Sequence, residues 1–265
     1  QYLPAVNHED VGIFVSQSGE TKDVLNALQG AQAAGMTCFS VANVIGSTLT
    51  RATSAWLPLT CGYEISVPAT KTFTNQVILF LYLATRMGGG DLTQLANLPE
   101  LMEKTITATG PQVEAIVPSI NTWNDMYSLG YGATFAMALE GALKLKEITY
   151  AHCEGMLSTE FKHGPLSAIT KGFPVFFAFA PDDVPLIVSG INEVTCRGGR
   201  AIAIGVADPR ISANASDVIT IPASNAVFAS LLSVIPLQLL SYHMAVARGF
   251  DPDFPRNLSK TLTVD

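Results

Sequence analysis

The sequence predicts an α/β protein of two lobes, each a parallel sheet flanked by helices, and three observations carry that reading. At 265 residues the chain is too long for one small domain and long enough for two with buried cores. Short β-rich runs alternate with helical patterns along its length, the signature of strand-helix-strand units in a parallel sheet. In each half, a turn of small or polar residues follows a strand and opens a helix, which is where open α/β sheets bind ligands.

The elements follow in order. The apolar run from Val11 to Val15 reads as a strand ending at Ser16, and the stretch from Lys22 to Ala34 as a helix. Further strands are expected at Met36 to Ala42 and Ala55 to Leu59, with helices between and after them, the last from Lys71 to Met87. Gly88-Gly89-Gly90 stops that helix, and the polar, helix-forming stretch that follows is broken at Pro99, Pro111 and Pro118. The expected domains are residues 1–90, a helical connector over 91–123, a second lobe over 124–249 and an irregular tail over 250–265. The second lobe restarts with a strand at Asp125 to Leu129, a Gly130-Tyr131-Gly132 turn and a helix from Ala133 to Tyr150. Strands at Phe173 to Ala180, Ala201 to Val206 and Val218 to Ile221 complete it. The apolar stretch Ala226 to Ala247 contains Pro236, Gln238 and His243 and reads as one buried helix, not a membrane span. The halves share too few letters for a repeat to be assigned from sequence.

Composition excludes several functions. With 22 acidic against 15 basic residues the formal charge is -7, which argues against binding nucleic acid through clustered Lys and Arg. Cys38, Cys61, Cys153 and Cys196 lie far apart with no CxxC pair, so neither a metal site nor a disulfide framework is expected. No cofactor is implied either. No secretory signal opens the chain, and a cytoplasmic protein away from membranes is the expectation. A mean hydropathy of +0.32 with 14% charged residues is apolar for a free-standing domain, which points to an oligomer.

The first of the two turns is "SQSGET", Ser16 to Thr21. A helix start offers unpaired N–H groups and the positive end of the helix dipole, so it can hold an anion without a local lysine. Hydroxyls of Ser16, Ser18 and Thr21 add donors and Gly19 admits a close approach, so a phosphate monoester is the natural guest. Ordinary helix capping uses the same residues and is the competing reading. The turn is neither a GxxxxGK[ST] nor a GxGxxG loop.

Three further features bear on chemistry. In "ALEGALKLKEITY", Glu140, Lys144 and Glu147 fall on one helical face at i, i+4 and i+7, a surface ion pair unless the face is buried or used. In "STEFKHGPL", His163 stands before Gly164-Pro165, where an imidazole can move protons. The ending "DPDFPRNLSKTLTVD" is too rich in proline and polar residues for a regular element, and its Lys260 is by default solvated.

Together "SQSGETKDVL", "NVIGST", "EISVPATKTFTNQ", "ALEGALKLKEITY", "EFKHGPL" and "DFPRNLSKTLTVD" resemble, in order and spacing, the isomerase half of the glucosamine-6-phosphate synthases, the glutamine:fructose-6-phosphate aminotransferases. The resemblance spans essentially the whole chain, tail included. It implies two sugar isomerase (SIS) subdomains, each a three-layer flavodoxin-like sheet, in a homodimer that binds fructose 6-phosphate. By position, Ser16, Gln17, Ser18 and Thr21 match the phosphate turn, and Val67 and Ala69 fall in the sugar-binding segment. Lys260 matches the tail lysine that forms a Schiff base at C2, and Glu147 the carboxylate that moves a proton between C1 and C2. Lys144 matches a lysine near the C1 and C2 oxygens, and His163 the ring-opening residue contributed by the neighbouring subunit. The implied products are glucosamine 6-phosphate when ammonia is supplied and glucose 6-phosphate otherwise.

Ala69 stands where the family usually has a serine, and Tyr131 where an arginine is common. The resemblance also implies that the glutaminase domain and the opening strand-helix-strand of the first subdomain lie outside this chain, so glutamine is not expected to donate nitrogen to it unaided. Two alternatives are a SIS module that binds a sugar phosphate for regulation and a SIS deglycase of amine-sugar phosphates.

Overall fold

The computed structural model describes residues 5–223 and 225–260. It divides into two compact units, one formed by the chain up to Gly90 with the tail from Arg256, the other by Asp91–Pro255.

The first unit runs β1 (Val11–Ser16), α1 (Lys22–Ala33), β2 (Thr37–Ala42), α2 (Thr48–Ala52), β3 (Ala55–Pro58) and α3 (Lys71–Met87). Its strands are parallel in the order β1-β2-β3, with Ser16 opposite Ala42 and Ala42 opposite Pro58 at the carboxyl edge. Because side chains alternate across a strand, one face of the sheet gathers Phe14 and Cys38 against Leu25, Leu28, Ala31 and Leu49 of α1 and α2. The opposite face carries Val11, Ile13, Phe39 and Leu57, which remain partly exposed beside Leu83 and Met87 of α3 in an apolar groove of about 330 Å³.

The second unit contains α4 (Leu98–Ile120), β4 (Asp125–Gly130), α5 (Ala133–Thr149), β5 (His152–Leu157), β6 (Pro174–Ala178), α6 (Val184–Thr195), β7 (Arg200–Gly205), α7 (Pro209–Ser212), β8 (Asp217–Thr220), α8 (Ala226–Leu232) and α9 (Val234–Ala247). Its five strands are all parallel in the order β5-β4-β6-β7-β8. Both faces are covered. Phe176, Ile202, Ile204 and Ile219 pack under residues of α4, α5 and α9, while Val175, Phe177, Ala201 and Ala203 pack with Ile187, Ile191 and Val194 of α6.

The order β6-α6-β7-α7-β8 repeats β1-α1-β2-α2-β3 element by element, with α1 and α6 each of 12 residues. The repeat is therefore architectural, carried by hydrophobic period and not by letters.

Three expectations need correction. The stretch before the second lobe is not broken by its prolines: α4 runs unbroken through Pro111 and Pro118. Its buried stripe of Thr105, Thr109, Val113, Ile116 and Ile120 packs it along α9, and Gln112 bonds both backbone groups of Thr220, so tertiary packing overrides the local cost of proline. It is an integral helix of the second unit. The strand β5 went unread because "HCEGML" lacks an apolar run, yet it forms a full parallel ladder with β4. The stretch 226–247 is two helices meeting at Ser233, and Pro236 sits in the first turn of α9, where its missing N–H costs nothing. Most of that stretch is buried in the unit.

Arg248, just past α9, ties the unit together. Its guanidinium donates to the carbonyls of Asn121 (2.9 Å), Thr149 (2.9 Å) and Trp123, and so closes the C-terminal ends of α4 and α5. Replacing Arg248 by Ala leaves these acceptors unpaired; urea denaturation is expected to show a loss of about 2–3 kcal/mol with an unchanged m-value.

Candidate active site

The turn after β1 is built as a cradle. Ser16, 6% exposed, places its hydroxyl 2.9 Å from the Thr21 hydroxyl and accepts from the Gly19 N–H at 3.0 Å. Ser18 accepts from the Glu20 N–H at 3.2 Å. Gly19 has φ +69°, and a Cβ there would lie 2.0 Å from the Ser47 hydroxyl, so both conformation and space demand glycine. Thr21 stands at the cap position of α1 but makes no side-chain cap, which leaves the first N–H groups of that helix open to an anion.

A carboxylate inside an anion turn needs an explanation, and Glu20 has one. Its Oε1 accepts from the Thr48 N–H at 2.8 Å, so its charge is taken up by the start of α2, and that bond holds its pKa below the usual carboxylate value.

Asn43 joins this turn to a second segment. Its N–H donates to the Gln17 carbonyl (3.1 Å), while its side chain donates to the Gly62 carbonyl (2.7 Å) and accepts from the Cys61 N–H (3.2 Å). The irregular segment that follows carries Glu64, Ser66, Val67 and Ala69 and ends where α3 begins. Glu64 is 6% exposed; its carboxylate accepts from the N–H groups of Thr70 (2.8 Å), Lys71 (3.1 Å) and Thr72 (3.3 Å) and from the Thr72 hydroxyl. Burial pushes this carboxyl upward, but the bonds from Thr72 and Thr70 and the charge of Lys260 outweigh it, so the net pKa lies below the ordinary value.

Lys260 is not solvated tail. Its Nζ donates to the Ser66 carbonyl and lies 4.0 Å from Glu64 Oε2. The first unit thus brings together the Ser16–Thr21 turn, the segment with Val67 and Ala69, both half-buried, and the tail lysine. Residues 261–265 lie outside the described residues.

In the second unit, the charged face of α5 is buried. Lys144 Nζ is 3.3 Å from Glu140 Oε1 and 2.6 Å from Glu147 Oε2, with side-chain exposures of 5%, 11% and 19% for Lys144, Glu140 and Glu147. The surface-pair reading fails here. Three charges withdrawn from water on a helix of Ala and Leu cost more than a surface pair returns.

The fold separates Glu147 from His163. β4 and β5 are parallel, so α5 must return the chain from the carboxyl edge of β4 to the amino edge of β5, and Glu147 lies in its final turn. His163, exposed in the turn Phe161–His163, follows β5 at the opposite edge. Six residues of β5 put roughly 20 Å between those edges, so within one copy of this unit the two side chains do not share a site. Tyr131 is 41% exposed and keeps the turn intact through its backbone, its N–H donating to the Thr134 hydroxyl at 3.0 Å.

Among these residues, Glu20, Asn43 and Glu64 escaped the sequence reading. Each acts through backbone groups beyond the reach of a local capping pattern, six to eight residues on for Glu64 and 18 or more for Glu20 and the Asn43 side chain, for which no spacing rule exists. The sequence signal nearest to them was a carboxylate inside the phosphate turn.

Comparison with known proteins bears on the same residues. Residues 1–86 and 119–248 match the SIS domain family. The whole chain is 41% identical to a glutamine–fructose-6-phosphate aminotransferase (isomerizing) of Pyrobaculum aerophilum, of which it spans 45%. The chain therefore spans about half the length of the curated relatives it matches. The solved C-terminal domain of a glucosamine-fructose-6-phosphate aminotransferase from Francisella tularensis is 31% identical, with a TM-score of 0.83 over 94% of this chain and 74% of that one. A glucosamine-6-phosphate deaminase from Thermotoga maritima shares the fold, with a TM-score of 0.80 at 23% identity over 95% of this chain and 75% of that one.

Substituting Gly19 by Ala drives a methyl into Ser47 and forces an unfavourable φ, so the cradle has to distort. Binding of inorganic phosphate, read by calorimetry, is expected to weaken about tenfold or more while the far-ultraviolet spectrum is kept.

Proposed function

We propose, from the premise that this chain belongs to the SIS domain family in the branch of the glucosamine-fructose-6-phosphate aminotransferase C-terminal domains, that it isomerises fructose 6-phosphate through a Schiff base on Lys260. The observation that carries the reading is the position of Lys260, an amine held by the Ser66 carbonyl in the same unit as the Ser16–Thr21 cradle. A phosphate gripped by that cradle anchors one end of an open-chain ketose, and an amine in the same unit is available to its carbonyl.

The sequence of steps follows from the chemistry. His163 moves the proton that opens the ring. Lys260 Nζ adds to the C2 carbonyl and loss of water leaves an iminium; ammonia then adds to C2 and expels the lysine amine, leaving a free C2 imine, or water does so and restores the ketone, and either group acidifies the C1–H bonds. Glu147 takes a proton from C1 and returns it to C2, a move that one carboxylate makes by turning about its own side chain. Lys144, 2.6 Å from Glu147, fixes the direction of the carboxylate and offers its ammonium to the substrate oxygens. With ammonia supplied the product is glucosamine 6-phosphate; without it, glucose 6-phosphate. A glutaminase domain or subunit is the source of ammonia suggested by the glutamine in the relatives' names.

The opposite-edge placement of Glu147 and His163 supports a homodimer in which each site takes His163 from the other copy. A regulatory sensor needs the cradle alone and leaves the buried charges on α5 without a purpose, so turnover is the better reading.

Two measurements test this. Borohydride added with fructose 6-phosphate is expected to attach the sugar to Lys260, seen as a mass increase on the tail peptide, and an unlabelled Lys260 in the folded protein rejects the Schiff base. Mixing Glu147→Gln copies with His163→Ala copies is expected to restore about a quarter of the unsubstituted activity, because half the dimers are mixed and each holds one complete site. No recovery in demonstrably mixed dimers rejects the trans arrangement.

A further inference from the structure

We propose that Glu64 is a positioning residue for Lys260, serving as the fixed counter-charge to the nitrogen before and after the Schiff base forms; this rests on the Schiff-base reading above. Glu64 caps α3 from an unusual direction. Thr70, at the cap position of that helix, makes no side-chain cap of its own, and the carboxylate reaches in from an irregular segment six residues earlier. Capping alone does not call for a buried full charge, since a Ser, Thr or Asp at the cap position does the same work at the surface.

The surrounding geometry supplies the missing reason. Oε1 is occupied by the Thr70 and Lys71 N–H groups and Oε2 by the Thr72 N–H and hydroxyl, so the carboxylate has no freedom to turn away. Lys260 Nζ stands 4.0 Å from Oε2, and its bond to the Ser66 carbonyl holds it on the same short segment, next to Val67 and Ala69. A lysine on an irregular tail has many rotamers, and a rigid carboxylate facing its nitrogen selects the few that reach the segment.

The charge balance fits this role. In net terms an ammonium and a ketone become an iminium and water: the N–C2 bond forms, the C2–O bond breaks, and the oxygen leaves with two protons from nitrogen. One positive charge sits on the nitrogen at the start and at the end. A fixed anion that faces it throughout stabilises the iminium without being consumed, whereas Glu147 has to gain and lose a proton. The two carboxylates are thereby assigned different tasks by their surroundings: Glu64 is locked by backbone donors and holds charge, while Glu147 faces the Lys144 ammonium at 2.6 Å.

The test compares Glu64→Gln with Glu64→Asp and Thr74→Val in the full 265-residue chain; the Thr74 hydroxyl bonds the Thr70 and Lys71 carbonyls and not Glu64. All three weaken the start of α3 and lower the thermal midpoint, but only Glu64→Gln removes the charge. Borohydride trapping of fructose 6-phosphate on Lys260 is expected to slow about tenfold or more in Glu64→Gln, to be partly rescued in Glu64→Asp, and to stay within about twofold in Thr74→Val. Trapping that is unaffected in folded Glu64→Gln, or that falls equally in Thr74→Val, reduces Glu64 to a helix cap and overturns the proposal. Absence of trapping in the unsubstituted chain overturns the Schiff-base reading instead. The contact is then read by tryptic cleavage after Lys260, which is expected to be faster in Glu64→Gln than in Thr74→Val; equal rates reject the contact as well.

Discussion

Parallel strands cannot be joined at one edge, and this constraint organises everything else in the molecule. Each connection between strands carries the chain back along the sheet, through a helix everywhere except between β5 and β6, where the turns Phe161–His163 and Pro165–Ala168 make the return, so each unit gathers its strand-to-helix turns at the carboxyl edge and its helix ends at the amino edge. The cradle after β1 is one product of that rule. The placement of Glu147 in the last turn of α5, an entire strand away from His163, is another. A site that needs both residues has to be composed from more than one copy, because the topology of a single unit keeps them apart.

Charge is handled sparingly within the same frame. The chain carries 15 cationic residues against 22 anionic ones, and the anion cradle contains none of the cations. Hydroxyls and a helix start line that turn instead, and N–H groups at helix starts bond two neighbouring carboxylates, Glu20 at α2 and Glu64 at α3. Two of the cations, Lys144 and Lys260, are held beside largely buried carboxylates. A buried ion pair is poor evidence of stability, since its desolvation offsets most of its attraction. The arrangement of Lys144 between Glu140 and Glu147 is therefore accounted for by the proposed mechanism and not by its contribution to folding.

The sheets and most of the helices were legible because periodicity is a local signal: Val11–Ser16, Pro174–Ala178 and Arg200–Gly205 are continuous apolar runs with no helical reading. What failed was decided by distant partners. Pro111 and Pro118 read as breaks until α9 and β8 are present to hold α4 straight, and "HCEGML" reads as a loop until β4 lies beside it. The site divides along the same line. Ser16, Ser18 and Thr21 are contiguous and readable, whereas Glu64 and Lys260 lie 196 positions apart and meet only in the folded chain.

The architectural repeat accounts for the presence of one cradle and not two. The turn after β6 occupies the place of the turn after β1, before a helix of the same length, and on geometry alone it would offer the same helix start. Its residues are Pro181, Asp182 and Asp183, and the Asp183 carboxylate already accepts the Ala180 N–H at 3.0 Å. Two acidic side chains repel a phosphate dianion, and a proline removes one of the donors that would bind it. The second turn is thus closed to the ligand by sequence while its backbone is retained. In the first turn the hydroxyls of Ser16, Ser18 and Thr21 stand where acids would exclude the guest, and the one acid present, Glu20, is turned toward α2. On the proposed reading, recognition is decided by which side chains occupy a helix start that the topology supplies in each repeat.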